Sequence, residues 1–197
     1  MGAGRTELLR AIFGLDPVRS GRVRLAAVGQ GFVSEDRKGE GLLLNLSVAD
    51  NLTLSRLGGP VVRPSGLAEA SRRWIEKLGI RCRGPEERIG DLSGGNQQKV
   101  AIARLLHHDV DVLLLDEPTR GIDVGSKAQV YRLIDGLVSS KERPRAVVMV
   151  SSYLPELLGV CDRIAVMCRG RLGPARPAAQ VTERQLTLEA TGGGAAA

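Results

Sequence analysis

Aromatic residues are scarce, with two Phe, two Tyr and one Trp among 197 positions. So few stacking surfaces leave little to grip nucleic-acid bases, and the 28 Lys and Arg are scattered rather than blocked, so no nucleic-acid partner is expected. No apolar run approaches the roughly 20 residues of a membrane-spanning helix. The longest aliphatic stretches, Val112 to Leu115 and Ala146 to Val150, are strand-sized, so membrane contact requires a partner. The opening MGAGRTELLR has neither the basic nor the apolar region of a signal peptide, which points to a cytosolic chain. Three cysteines (Cys82, Cys161, Cys168) match neither a CxxC metal pattern nor a disulfide framework and read as reduced core residues. The two histidines, His107 and His108, are adjacent and so cannot both aim at one metal.

What is present is ordinary globular material with an excess of glycine. Hydrophobic residues make up 43% and charged residues 25%, with a formal charge of +6. This length suggests one domain, which buries roughly 70% of its extended surface on folding. The 25 glycines are not arranged in a G-X-Y period, which excludes a collagen-like chain and implies many sharp backbone turns.

Apolar spacing organises the chain. Leu8, Leu9, Ile12 and Phe13 predict a helix over residues 5–13, entered through Gly2 and Gly4. RVRLAAV (22–28) alternates like a strand, and GFVSEDRKGEG (31–41) reads as a short strand running into a charged loop. From Ser47 the pattern is helical through Val48, Leu52 and Leu54, breaks at GGPVVRP, and resumes from Leu67 to Leu78. A helix follows over 96–106, then a strand DVLLLDE, a helix through Val130, Ile134, Leu137 and Val138, and a strand AVVMVSS. A short helix LPELL, a last strand RIAVMC and a frayed tail GGGAAA complete the chain. Aliphatic strands separated by helices predict an α/β fold with a parallel sheet buried on both faces.

Two segments carry chemistry. LLLDEPT (113–119) ends an aliphatic strand in two carboxylates, at the sheet edge where open α/β folds bind ligands. Strand alternation turns Asp116 and Glu117 in different directions, so that one can reach a hydrated Mg2+ and the other a water; a lone pair of this kind is equally a capped strand end. LSGGNQQK (92–99) places Ser93, Gly94 and Gly95 at a helix mouth, where unpaired N–H groups and the positive dipole end face outward. Consecutive glycines weaken a helix unless close approach is needed, which favours a phosphate receptor over a plain cap.

LSGGNQQK followed by LLLDEPTRGID resembles the signature motif, Walker B segment and D-loop of ATP-binding cassette (ABC) ATPases. The Asn-Gln-Gln ending, with GFVSEDRKGEGL (31–42) and VSSYLPELLGVCDRI (150–164), is similar to the second of two fused cassettes in monosaccharide importers of the ribose, galactose and xylose type. The resemblance spans about residues 1–190. It implies a P-loop NTPase (RecA-like) core at about 1–41 and 106–175, a helical subdomain at about 42–105, a shortened antiparallel β subdomain, and a tail at 191–197. It also implies ATP and Mg2+ as cofactors and a partner cassette in a head-to-tail pair. Two membrane-spanning permease subunits, an indirectly engaged periplasmic sugar-binding protein, and a peripheral place at the inner face of the cell membrane follow from the same resemblance.

Matched residue by residue, Gly2, Gly4, Arg5, Thr6 and Glu7 fall on the phosphate loop, Glu35 on the Q-loop glutamine, Ser152 on the switch histidine, and Asp123 on the D-loop. Ser93, Gly94, Gly95 and Gln97 form the signature, Thr6 and Asp116 the Mg2+ site, and Glu117 the catalytic carboxylate. The match has departures. Only GAGRTE remains of G-x-x-x-x-G-K-[ST], which reads as an N-terminally truncated cassette. Arg5 replaces the phosphate-loop lysine and exchanges a compact ammonium for a planar fork. Glu7 adds a carboxylate that favours the helix dipole and repels a nucleotide. The resemblance therefore implies an importer subunit that supplies its signature to a partner while its own site turns over slowly. The alternatives are a non-transport ABC ATPase acting on nucleic acid, and a non-catalytic regulatory remnant. The family also docks a permease coupling helix near the segment from Glu35 to Asn51, which on its residues alone reads as a solvated loop.

Overall fold

The computed structural model describes residues 2–25, 29–57 and 62–193. Along the chain the elements are α1 (Arg5–Phe13), β1 (Gln30–Val33), α2 (Val48–Thr53), α3 (Pro64–Lys77), α4 (Gly94–His108), β2 (Val112–Asp116), α5 (Val124–Val138) and β3 (Ala146–Val150). Then follow α6 (Leu154–Val160), β4 (Arg163–Ile164), β5 (Met167–Cys168), β6 (Arg171–Leu172), β7 (Arg176–Pro177) and α7 (Glu183–Ala190). These divide into two compact units, Leu25–Met149 and Met1–Arg24 with Val150–Ala197.

In the unit Leu25–Met149 the sheet order is β1-β2-β3, with β1 and β2 parallel in the register Gln30↔Val112 to Val33↔Leu115. All of β2 is buried, as its unbroken aliphatic run predicts for a central strand. β3 differs from expectation: Val148 is 43% exposed, so this strand is not buried on both faces. Against this sheet lies α4, whose Val100, Ile102 and Ala103 are fully buried. It starts at Ser93 as N-cap and stops where Asp109 turns left-handed at φ 71°. Ser47 and Asp50 form a capping box that starts α2, and Val48 and Leu52 are its buried face. Leu54 lies beyond the end of α2 and is 51% exposed. Pro64 opens α3, supplying the φ that a first helical position needs.

In the unit of Met1–Arg24 and Val150–Ala197, Ile164, Val181 and Leu186 form a core packed by Leu154, Leu157 and Leu158. The expected strand RIAVMC is two: β4 pairs antiparallel with β7, and β5 with β6. Arg169 at φ 49° and Gly170 at φ 77° make the tight left-handed turn that a two-residue hairpin requires, and this recruits Met167 and Cys168 away from β4. α7 carries no signal that the sequence reading used, although Thr182 and Gln185 form its capping box.

The expected strand over 22–28 is not formed at 22–25, and 26–28 lie outside the described residues. Val23 and Leu25, its apolar positions, are 45% and 39% exposed, so alternation there finds no buried face to reward it. Residues 58–61 of the expected helix break and 194–197 of the tail also lie outside the described residues.

Candidate functional site

The first turn of α4 is the centre of the arrangement. Ser93 is exposed, and its Oγ accepts a hydrogen bond from Asn96 Nδ2 at 3.0 Å. Gly95 is buried against the start of α5: a Cβ there would stand 2.5 Å from Ser126 Cβ and closer still to Ser126 Oγ. A Cβ on Gly94 would lie 3.2 Å from the Gly121 carbonyl oxygen. The glycine pair expected to admit an outside phosphate thus already serves an internal approach, between the signature and the D-loop. Asp123 caps α5, accepting from Ser126 N at 2.9 Å and Ser126 Oγ at 2.7 Å. These bonds, the hydroxyl's first, hold the Asp123 carboxyl below the usual carboxylate range.

Arg37, in the turn after β1, fastens this junction. Its Nη1 donates to the Gly94 carbonyl at 2.9 Å and its Nη2 to the Arg120 carbonyl at 3.0 Å. Burial lowers the pKa of its guanidinium. Glu35 forms an ion pair with Arg120. The charged segment is ordered by its own bonds: Asp36 Oδ1 accepts from Gly39 N at 2.9 Å, and Ser34 Oγ donates to Glu40 Oε2 at 2.8 Å. Gln97 turns inward, 5% exposed, and its Nε2 donates to the carbonyls of Ile89 and Leu92, both at 3.1 Å. It holds the turn that leads into Ser93 instead of facing solvent.

Asp116 ends β2 and is 1% exposed. Glu117 was expected to continue the strand, yet its φ of 46° is left-handed. The strand thus ends at Asp116 and the backbone turns sharply at Glu117, so the pleat does not extend across the pair. Such a conformation costs a non-glycine residue about 1 kcal/mol or more and recurs at functional sites.

The unit of Met1–Arg24 and Val150–Ala197 carries the second group. Gly2 and Gly4 have φ of 82° and 93°, and α1 starts directly after them. Thr6 and Glu7 occupy its first turn, with Glu7 exposed at the positive helix end. Arg5 Nη1 donates to the Ser151 carbonyl at 3.0 Å, which brings the phosphate-loop position beside exposed Ser152. Ser151 is fixed in turn, its Oγ donating to buried Glu156 Oε2 at 2.7 Å and accepting from Tyr153 N at 3.0 Å.

Gly2, Gly4, Arg5, Thr6, Glu7 and Ser152 thus lie in one unit, and Glu35, Ser93, Gly94, Gly95, Gln97, Asp116, Glu117 and Asp123 in the other. Among the described residues no group of three or more His, Cys, Asp or Glu gathers as a metal site. The Thr6 hydroxyl in one unit and the buried Asp116 carboxylate in the other are each hard oxygen donors, the ligand type that suits Mg2+. Sequence reasoning missed Arg37, Arg120, Ser126 and Ser151. Arg37 meets its partners 57 and 83 residues away, a separation that no local pattern reports.

Among the described residues no helix is long and apolar enough to cross a membrane. Comparison with known proteins identifies a family, two relatives and a structural neighbour. The ABC transporter family matches residues 1–120. The chain is 42% identical over 212 residues to the ribose import ATP-binding protein RbsA of Bacillus subtilis (strain 168), an alignment covering 98% of this chain and 42% of that protein. It is 44% identical over 200 residues to ribose import ATP-binding protein RbsA 1 of Streptomyces avermitilis, covering 93% of this chain and 38% of that one. The chain therefore spans about two fifths of the length of the curated relatives it matches. In fold it resembles a dimeric ATP-binding cassette bound to ADP and phosphate, with a TM-score of 0.75 at 21% identity over 89% of this chain and 81% of that one.

Proposed function

Because the chain belongs to the ABC transporter family, we propose that it is the ATP-binding element of a bacterial sugar importer, corresponding to the second of two cassettes. In this reading it couples ATP binding and hydrolysis to carbohydrate uptake, chiefly by lending its signature helix to a nucleotide held on a partner cassette. Likeness to ribose import proteins supports sugar as the cargo. Its further partners are two permease subunits, with a periplasmic sugar-binding protein engaged through them, and its place is the cytoplasmic face of the membrane. We divide it into a RecA-like core at about 1–41 and 106–175 and a helical subdomain at about 42–105.

The observation that carries the reading is the junction of Ser93, Gly94 and Asp123 clamped by Arg37. The exposed Ser93 hydroxyl and the N–H groups of the first turn of α4 stabilise negative charge on a phosphate, and the clamp fixes their direction before any ligand arrives. Gln97 supports the turn from below. In this reading Asp123, the cap of α5, is the D-loop residue that communicates with the neighbouring site.

In the chain's own site, backbone amides near Gly2 and Gly4 and the Arg5 guanidinium face the phosphates, with Glu7 opposing them. Thr6 and Asp116 would each offer an oxygen to Mg2+, which when bound would supply neutralisation of phosphate charge. Glu117 orients the attacking water, and the Ser152 hydroxyl replaces a switch histidine. Glu35, tied to Arg120, is a weak substitute for a Q-loop amide. Phosphoryl transfer depends on positioning and charge stabilisation, so these replacements together slow turnover at this site.

The test is an importer reconstituted with its first cassette and both permeases, carrying a photoreactive group at position 93. Labelling of bound radioactive ATP is expected, together with ATPase activity in the lone chain far below that of the assembly. A lone chain as active as the assembly, or a position 93 remote from every bound triphosphate, rules the proposal out.

A further inference from the structure

We propose that the cleft between α3, α4 and α5 is a binding site for a small phosphate-bearing anion, distinct from the nucleotide site. The cavity measures about 500 Å3, the size of a small-molecule pocket. Lys77, Lys99, Arg132 and Arg145 line it, and no carboxylate does. It shares Lys99, Gln129 and Arg132 with an adjoining depression that adds Arg81 and a single acid, Glu76.

Lys99 is the most telling of these. Its side chain projects from the middle of the signature helix, and the residue is 5% exposed, with Nζ donating to the Gly79 carbonyl at 2.7 Å. Burial, joined by the charge of Arg81, holds its pKa below that of an ordinary lysine. Sequestering an ammonium beside other cations is unfavourable unless an anion completes the site. Among the described residues no ion pair is made by Lys77, Arg81, Lys99 or Arg132. Arg145 is held rigidly, its Nε donating to the Val110 carbonyl at 2.9 Å and its Nη2 lying 3.4 Å from Asp109 Oδ1. Lys77 is steadied over the Trp74 ring at 5.1 Å.

A phosphoryl group suits this set better than a carboxylate. Its oxygens accept from several donors at once, whereas a carboxylate is satisfied by a single guanidinium fork. Gln129 and Ser140 offer neutral polar contacts for an ester substituent, and Leu133 and Leu137 supply an apolar wall.

Equilibrium dialysis of the full chain against radiolabelled inorganic phosphate, and separately against a pentose 5-phosphate, tests this. Saturable binding that weakens with added salt is expected. Because Lys99 also supports the fold through Gly79, the diagnostic variant is the exposed pair Lys77→Gln with Arg132→Gln. It should weaken binding at least about tenfold, the worth of one charged hydrogen bond. Tighter binding of the ester identifies an organic phosphate as the ligand, and equal binding identifies free phosphate. Either result upholds the site. Absence of saturable binding overturns it, as does binding that survives the double substitution but is lost with Arg5→Gln at the nucleotide region.

Discussion

Replacing Gly95 with alanine separates two reasons for a glycine in the signature. Were openness toward an outside phosphate its only use, Gly95→Ala should stabilise the isolated chain, since alanine favours a helix by up to about 1 kcal/mol over glycine. In the structure the new methyl would meet Ser126 Cβ at 2.5 Å, an atom fixed to the backbone of α5. Forcing a methyl into such a gap typically costs about 1–3 kcal/mol. The clash outweighs propensity, and a net loss of about 1–2 kcal/mol is expected. Ser126→Gly removes both obstructing atoms, so in that background the same Gly95→Ala change should stabilise. The double-mutant cycle then yields a coupling of about 2 kcal/mol with an inverted sign for one substitution. Denaturation followed by fluorescence of the single tryptophan, Trp74, reports on the unit that contains the junction. A midpoint change of about 2–4 °C per kcal/mol is large enough to resolve. Stabilisation by Gly95→Ala in both backgrounds would refute the packing account of this glycine.

Arg37→Gln removes two charged hydrogen bonds to the Gly94 and Arg120 carbonyls, and relief of a partly buried charge offsets part of the loss. A decrease of about 1–3 kcal/mol is expected in the same unfolding measurement, with protection of the amides near Ser93 reduced in hydrogen exchange. Asp123 has its pKa depressed by Ser126, so its contribution is present above the unfolded carboxylate value near 3.8 and is lost as pH falls through the lower folded value. Asp123→Ala should therefore flatten the acid limb of stability below that pH and leave the alkaline limb unchanged. Ser47→Ala abolishes the capping box of α2 and should cost about 1 kcal/mol, read as a shifted denaturation midpoint with unchanged slope.

The sequence by itself determined the elements whose signals are local. The aliphatic run at 112–115 dictates a buried central strand, and Ser93 and Ser47 dictate helix starts. The same segments made the signature, the paired carboxylates and the glycine-led first helix legible. Tertiary structure decided what depends on partners distant in the chain. Alternation at 22–25 failed as a strand because no buried face receives Val23 and Leu25, and RIAVMC divided because a left-handed turn at Arg169 and Gly170 supplied a competing hairpin. Arg37 reaching Gly94 and Arg120, Ser126 filling the space above Gly95, and Arg5 finding the Ser151 carbonyl across 146 residues leave no periodic trace. Periodicity and caps act within a few residues, through backbone geometry and burial of one face. Hydrogen bonds and steric contacts between elements depend on which surfaces the folded chain sets side by side, and only packing chooses those.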